Sequence, residues 1–163
     1  MRKDSKDDLP MTPAVRVLKA AKAEFTGARY TYVPRGGTAQ AARELGIDEH
    51  RIVKTIVLKT SERKVIIVLM HGDHEISTKN LARTLGVKSV EPCEVEEAER
   101  NSGYFCGGTS PFGFRRPAPV YAQRTIFDLD WIVINGGQRG FFVRIAPELL
   151  HTILHAQDVD VEQ

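Results

Sequence analysis

Cysteine is scarce in this chain. Two residues, Cys93 and Cys106, occur in 163 positions. They supply no disulfide framework, and their separation is not that of a CxxC redox or zinc pair. Long apolar runs are missing as well: no stretch approaches the roughly 20 residues of a membrane-spanning helix. The first eight residues, MRKDSKDD, mix charges and lack the apolar centre of a signal peptide. A reducing cytoplasm is the expected home. Charge of one sign is not in excess either. Lys and Arg number 23 against 21 Asp and Glu, a formal net charge of +2. That excludes a general nucleic-acid clamp and leaves a local basic patch open. There are no internal repeats, no HExxH, no GxSxG elbow and no phosphate-cradling glycine fingerprint. Zincin, serine-hydrolase and common nucleotide-binding chemistries therefore lose their usual signatures.

What the chain does have is a strong central strand at Arg51 to Leu58, RIVKTIVL. At period two, Ile52, Ile56 and Leu58 share one face, and Val53, Thr55 and Val57 the other. Both faces are largely apolar, as in a strand covered on both sides. Lys54 sits on the first face. An ammonium among apolar neighbours needs an anion, a wet pocket or a buried carboxylate. It therefore either snorkels or pairs structurally, or it floors an anion-binding or catalytic cleft.

Around this strand the reading in chain order is as follows. Residues 1–11 form a polar, mobile lead-in. Thr12 caps a helix with Pro13 at its first position, carrying Ala14, Val17, Leu18, Ala21 and Phe25 on one face. Arg29 to Val33 alternates as a strand, and Pro34-Arg35-Gly36-Gly37 breaks it. Thr38 caps a short helix that Gly46 ends. Lys64 to Met70 pairs with the central strand as a hairpin, and residues 71–74 are a loop. Ser77 or Thr78 opens a helix ending at Gly86, and an acidic helical stretch follows Pro92. Strands are expected at 120–123 or on to 126, at 131–134 and at 141–145, with a final helix from Pro147. Helices and strands intermix without strict alternation. The fold class is α+β with a mixed sheet, built as one domain over 12–157 and followed by a short polar tail at 158–163.

Three features are suited to one site. Lys54 brings charge, with the Thr55 hydroxyl beside it on the opposite face. Gly107-Gly108-Thr109-Ser110-Pro111-Phe112-Gly113 allows backbone N–H groups to approach a ligand, or serves simply as a turn. Asn135-Gly136-Gly137 offers the same two readings, the second being a type I′ hairpin. His71 and His74, with Asp73 between them, have no third ligand nearby in sequence and read as a solvent-facing pair, so no metal is assigned. Cys106, lacking an assignable histidine partner, reads as a small buried hydrophobe rather than a nucleophile.

At these residues the chain resembles the YbaK family. Met11-Thr12-Pro13-Ala14-Val15, Val53-Lys54-Thr55, the 107–113 glycine loop and Gly136-Gly137-Gln138-Arg139-Gly140 occur in that family's order. The likeness spans roughly 11–157. These are aminoacyl-tRNA deacylases related to the editing domain of bacterial prolyl-tRNA synthetases. The resemblance implies a mixed, partly barrel-like sheet with surrounding helices. It also implies trans-editing of a mischarged aminoacyl-tRNA, Cys-tRNA(Pro) or Ala-tRNA(Pro), with no cofactor and with prolyl-tRNA synthetase as a possible partner. Lys54, Gly107 and Gly108 would be the catalytic positions. Tyr32 (Tyr30 in another register), Thr55, Thr109, Ser110, Asn135, Gly136, Gly137 and Arg139 would bind substrate. Arg115, Arg116 and Arg124 are the local basic candidates for tRNA. Two departures stand out: Phe141-Phe142 occupies the place where Cys-specific members carry an acidic residue, and Asn135 stands in place of serine. The competing reading is a non-catalytic module that holds a tRNA end or an aminoacyl nucleotide. A thiol hydrolase using Cys106 ranks third.

Overall fold

The computed structural model describes residues 8–163. Helix α1 (Pro13–Ala20) starts where capping chemistry placed it: the Thr12 hydroxyl accepts from the Val15 N–H at 3.1 Å and Pro13 fills the first turn. It stops short of Phe25 because Lys22 takes a left-handed φ of 55°. Strand β1 (Thr26–Arg29) lies earlier than the expected 29–33 and pairs antiparallel with β7 (Phe141–Ile145). Beyond Arg29 only the Tyr30 N–H still reaches that strand's turn, at Gly140 O. Residues 30–33 therefore leave the sheet.

Helix α2 (Gly37–Leu45) is capped by Gly36 without a side-chain bond, not by Thr38. The Thr38 hydroxyl donates instead to Glu49 Oε2 at 2.6 Å and contacts Gly72 O at 3.1 Å. The predicted hairpin is present as β2 (Ile52–Thr60) and β3 (Val65–His71), in register from Val53–His71 to Lys59–Val65. Thr60 closes it, its hydroxyl accepting from the N–H groups of Glu62 and Lys64. Helix α3 (Thr78–Leu85) is capped by Ser77 and stopped by left-handed Gly86. Strand β4 (Val90–Pro92), helix α4 (Val95–Ser102), strands β5 (Val120–Gln123) and β6 (Ile132–Gln138), helix α5 (Leu149–Thr152) and strand β8 (Gln157–Val159) complete the order. No helix among the described residues is long and apolar enough to cross a membrane.

The eight strands make one mixed sheet in the order β1-β7-β6-β2-β3-β5-β8, with β4 added to β2. One edge of β2 is fully used by β3. The other is shared: β6 pairs parallel at Ile52 and Val53, and β4 pairs antiparallel at Leu58 to Thr60. Among the described residues, no strand pairs with Lys54 to Val57 on that second edge. The sheet splits at the lysine.

As expected, β2 is covered on both sides. Val53 joins the main core with α1, β6 and β7, Ile52 packs in the α2 cluster, and Leu58 packs under α3. Each is at most 2% exposed, and a buried aliphatic of this size contributes about 1.5–3 kcal/mol.

Both chain ends depart from expectation within the described residues. Leu9, placed in the lead-in, is 7% exposed and packs over Gly27; residues 1–7 of the lead-in lie outside the described residues. The polar tail is structured too. Val159 and Val161 alternate with Asp158, Asp160 and Glu162, a half-buried strand pattern that the charge had masked. Strand β8 runs parallel to β5, Val161 is fully buried, and its N–H donates to Gln123 Oε1 at 2.8 Å.

Candidate active site

The split in the sheet opens into a cavity of about 320 Å³. Its walls come from four places. Ile52, Val53, Lys54 and Thr55 supply β2; Tyr30, Tyr32, Val33, Arg35, Gly37, Thr38 and Gln40 supply the departed segment and the start of α2; Gly107 and Thr109 supply the glycine loop; Asn135 and Phe142 supply β6 and β7.

Lys54 and Thr55 both line it, even though they alternate along the strand, because the cavity sits at the open edge rather than on one face. The Lys54 ammonium donates to His74 O at 2.5 Å and lies 3.5 Å from Glu75 Oε1. It is thus both a wall residue and a paired one, joining two readings the sequence had kept apart. Thr55 Oγ1 is buried and has no hydrogen-bond partner among the described residues. Burying a hydroxyl unpaired costs about 1–3 kcal/mol.

The glycine loop divides into working and supporting parts. Gly107 lines the cavity with a φ of 90°, and a Cβ there would meet the Tyr32 hydroxyl at 2.9 Å. Gly108 does not line it: its N–H already donates to Phe105 O at 2.9 Å, and a Cβ there would meet the Gln138–Arg139 backbone at 2.8 Å. Ser110 is fully buried, its hydroxyl accepting from the Phe112 N–H as a turn brace. Of the four expected loop residues, Gly107 and Thr109 reach the cavity.

The Asn135-Gly136 pair is not a type I′ turn. Strand β6 runs on to Gln138 through an irregularity, and the reversal falls at Arg139-Gly140. Asn135 uses its amide to hold the site together. Its Oδ1 accepts from the N–H groups of Gly137 (2.6 Å) and Gln138 (3.1 Å), and its Nδ2 donates to Gly107 O and Gln138 O, both at 3.3 Å. Gly136 and Gly137 are structural. Gly136 O accepts from the hydroxyl of Thr12, and a Cβ on Gly137 would meet Tyr104 at 2.8 Å. Arg139 braces the loop from behind, Nε to Cys106 O at 2.8 Å, with its guanidinium 5.0 Å from the Tyr32 ring centre.

Of the two tyrosine registers, the fold does not choose: Tyr30 and Tyr32 both line the cavity. Burial raises the Tyr30 phenol above its ordinary range. Its ring lies 4.7 Å from that of Phe142, which is 5% exposed and also lines the cavity. Phe141 faces the other way, into the main core.

The basic candidates do not gather here. Arg115 and Arg116 are exposed beside the end of α4, and Arg124 pairs with Asp160 at 3.3 Å. None lines the cavity. Arg35 does, from a left-handed φ of 64°. Sequence reasoning missed it, having read Pro34-Arg35-Gly36-Gly37 only as a break. Cys106 is also outside the lining; burial, then the nearby Glu99 charge, raises its thiol pKa.

The His71–His74 pair needs correction. His71 is fully buried at the end of β3, with Nδ1 bonded to His50 O (2.7 Å) and Nε2 to Thr125 Oγ1 (2.8 Å). Burial lowers its pKa first of all. The fold also supplies the missing third group. His50, Asp73 and His74 bring one ligand atom each to within 4.8 Å of one another. His50 and Asp73 stand 23 residues apart in sequence, and the β2–β3 hairpin brings them together.

Comparison with known proteins agrees with this arrangement. The aminoacyl-tRNA editing domain family matches residues 34–153. A protein of Enterococcus faecalis named "Putative Cys-tRNA(Pro)/Cys-tRNA(Cys) deacylase EbsC" is 27% identical over 151 residues, 92% of each chain. A proline–tRNA ligase of Brachyspira hyodysenteriae is 28% identical over 53% of this chain, a match to 15% of that enzyme. Among solved structures, one described as a putative trans-editing enzyme for prolyl tRNA synthetase superposes with a TM-score of 0.81 at 21% identity, covering 96% of this chain and 99% of its own. Hypothetical protein APE2540 superposes at 0.84 with 21% identity, covering 93% and 99%. A buried-edge cavity walled by a lysine, a glycine loop and a tethering asparagine, together with a family match over most of the chain, place this protein in the aminoacyl-tRNA editing domain family.

Proposed function

We propose that this chain is a trans-editing deacylase that hydrolyses the ester between a small, wrong amino acid and the 3′ end of a tRNA, with Cys-tRNA(Pro) and Ala-tRNA(Pro) as its substrates. The observation that carries the reading is the cavity at the open edge of β2 that Lys54, Thr55 and Gly107 line together. Relatives named for Cys-tRNA deacylation and for proline–tRNA ligation support the substrate class.

In the reaction, water or the substrate's own nucleophile adds to the ester carbonyl. The carbon–oxygen bond to ribose then breaks, the ribose oxygen takes a proton, and the acyl group leaves. An aminoacyl ester is activated enough that positioning and charge stabilisation suffice. Lys54 is the electrostatic anchor. His74 O uses one of its three donors and Glu75 draws a second, leaving one for substrate. The Gly107 backbone faces the carbonyl side, while Gly108, its N–H already used, only supports the turn. Thr55 orients the ester. The Tyr30–Phe142 stack closes the amino-acid end and favours short side chains. With a net charge of only +2, tRNA affinity is weak and salt-sensitive unless a synthetase, prolyl-tRNA synthetase first, presents the substrate in the cytoplasm.

The test is hydrolysis of Cys-, Ala-, Ser- and Pro-tRNA(Pro) by wild type and Lys54→Ala. We expect selective loss of one or both of the first two, slowed about a hundredfold in the variant. Full activity in folded Lys54→Ala would remove the lysine from the mechanism. Survival of every ester, with tRNA-end binding retained, would leave a binding module.

A further inference from the structure

We propose that His50, Asp73 and His74 bind a divalent transition cation of the zinc class, with water completing the shell and Glu162 at its edge beside His74. The site stands beside the cavity and does not depend on the editing reaction.

The groups around the site come from three separate segments. His50 lies in the 3-10 turn Glu49–Arg51 ahead of β2, Asp73 and His74 follow β3, and Glu162 belongs to the C-terminal segment. His50 Nδ1 is 3.0 and 3.2 Å from the two Asp73 oxygens. His74 Nε2 is 3.8 Å from Asp73 Oδ2 and 3.8 Å from Glu162 Oε2. A histidine–carboxylate hydrogen bond accounts for the first contact. It does not account for the His74–Asp73 approach, which is too long for a hydrogen bond yet brings the second imidazole to within 4.8 Å of the His50 and Asp73 ligand atoms. Bonds of about 2.0–2.2 Å from zinc to nitrogen and oxygen put tetrahedral neighbours about 3.3–3.6 Å apart. The observed 3.0–3.8 Å spacings bracket that edge length. Two imidazoles and a carboxylate suit zinc and its neighbours better than magnesium or calcium, which prefer all-oxygen shells.

The groups are held before any ion arrives. The His50 ring stacks on buried His71 at 3.7 Å with a 9° tilt, and His71 Nδ1 also bonds His50 O. His74 stands edge-on to both rings, at 5.5 and 5.8 Å. Glu162 is fixed by the Ile76–Glu162 bridge, with Gln163 N donating to Glu75 O at 2.8 Å on one side and Ser77 N to Val161 O at 2.7 Å on the other. Outer-shell support of this kind sets ring orientation in metal sites. The His74 carbonyl is the acceptor of the Lys54 ammonium, so one residue separates the ion from the cavity wall.

Untagged full-length protein, stripped with chelator and dialysed, would be titrated calorimetrically with Zn²⁺ and followed optically with Co²⁺. The expected result is one ion per chain and a four-coordinate Co²⁺ spectrum. His50→Ala and His74→Ala should each lose more affinity than the about 10- to 100-fold that an outer-shell change costs. His151→Ala, which breaks the separate His151–Asp158 pair, should bind as wild type does. Should either alanine variant fail to fold by circular dichroism, Asp73→Asn, which preserves shape, is read instead. Absence of heat and of a Co²⁺ spectrum at millimolar metal would overturn the proposal. So would ligand variants, folded and binding as tightly as wild type.

Discussion

Thr55 and Gly107 face the same cavity with opposite demands. The Thr55 hydroxyl is buried and unpaired, so replacing it with the isosteric valine removes a desolvation cost. Thr55→Val should raise stability by about 1 kcal/mol while lowering kcat/KM, a divergence that denaturant melts and deacylation assays read together. Gly107→Ala goes the other way on stability. Its φ of 90° is strained for any L side chain, and the new methyl would press on the Tyr32 hydroxyl. A loss of about 1–3 kcal/mol is expected, with activity falling because the cavity narrows. The thiols supply a pH test. Burial, then the Glu97 charge and hydrogen bond, push the Cys93 thiol up to about 11. A raised thiol pKa keeps the neutral form, so alkylation of Cys93 in folded protein should be slow at pH 8 and accelerate as pH rises toward 11. In denaturant the same thiol should react near its ordinary pKa of about 8.5. Rapid native alkylation at neutral pH would contradict the burial seen here. Of the expected site, Lys54, Thr55, Gly107, Thr109, Asn135 and Tyr32 were legible from residue type and motif. Arg35 was not, because a cation inside a Pro-Gly break carries no periodic signal.

Among the elements, the segment after β1 and the strand β6 show how a motif can be read correctly and placed wrongly. Arg29 to Val33 has strand alternation, yet β1 ends at Arg29; releasing 30–33 turns both tyrosines into wall residues. Asn135-Gly136 has hairpin chemistry, yet the asparagine amide binds four backbone groups and the reversal occurs four residues later. Asn135→Ala would free those groups and loosen Gly107; activity should drop more than stability, and Asn135→Ser should recover part of it. The caps of α1 and α3 were legible because they depend on local chemistry, whereas α2 is capped at Gly36 and not at the expected Thr38. Ser77 accepts from the Asn80 N–H at 3.1 Å, and Ser77→Ala is expected to cost about 1 kcal/mol in a thermal melt.

At the scale of the molecule, the ends are stitched into the body. Leu9 covers Gly27 and Phe141, and Val161 lies under α3 with its N–H on Gln123. Removing residues 157–163 deletes β8 and uncovers that cluster. A markedly lowered Tm is expected; an unchanged melt would show the tail to be dispensable. The same deletion removes Glu162, so metal binding and stability must be measured on separate variants.

Sequence alone determined what depends on near neighbours: the hairpin β2–β3, the caps of α1 and α3, the two-sided burial of β2, the mixed α+β class and the order of the family motifs. Tertiary structure decided what depends on distant pairing. Only the sharing of one β2 edge between β6 and β4 opens the sheet at Lys54, because strand order is fixed by which apolar faces can be buried together rather than by any local pattern. The same folding brings His50 to His74 and a charged C-terminal strand to β5, since contacts between residues far apart in the chain leave no periodicity for the sequence to display.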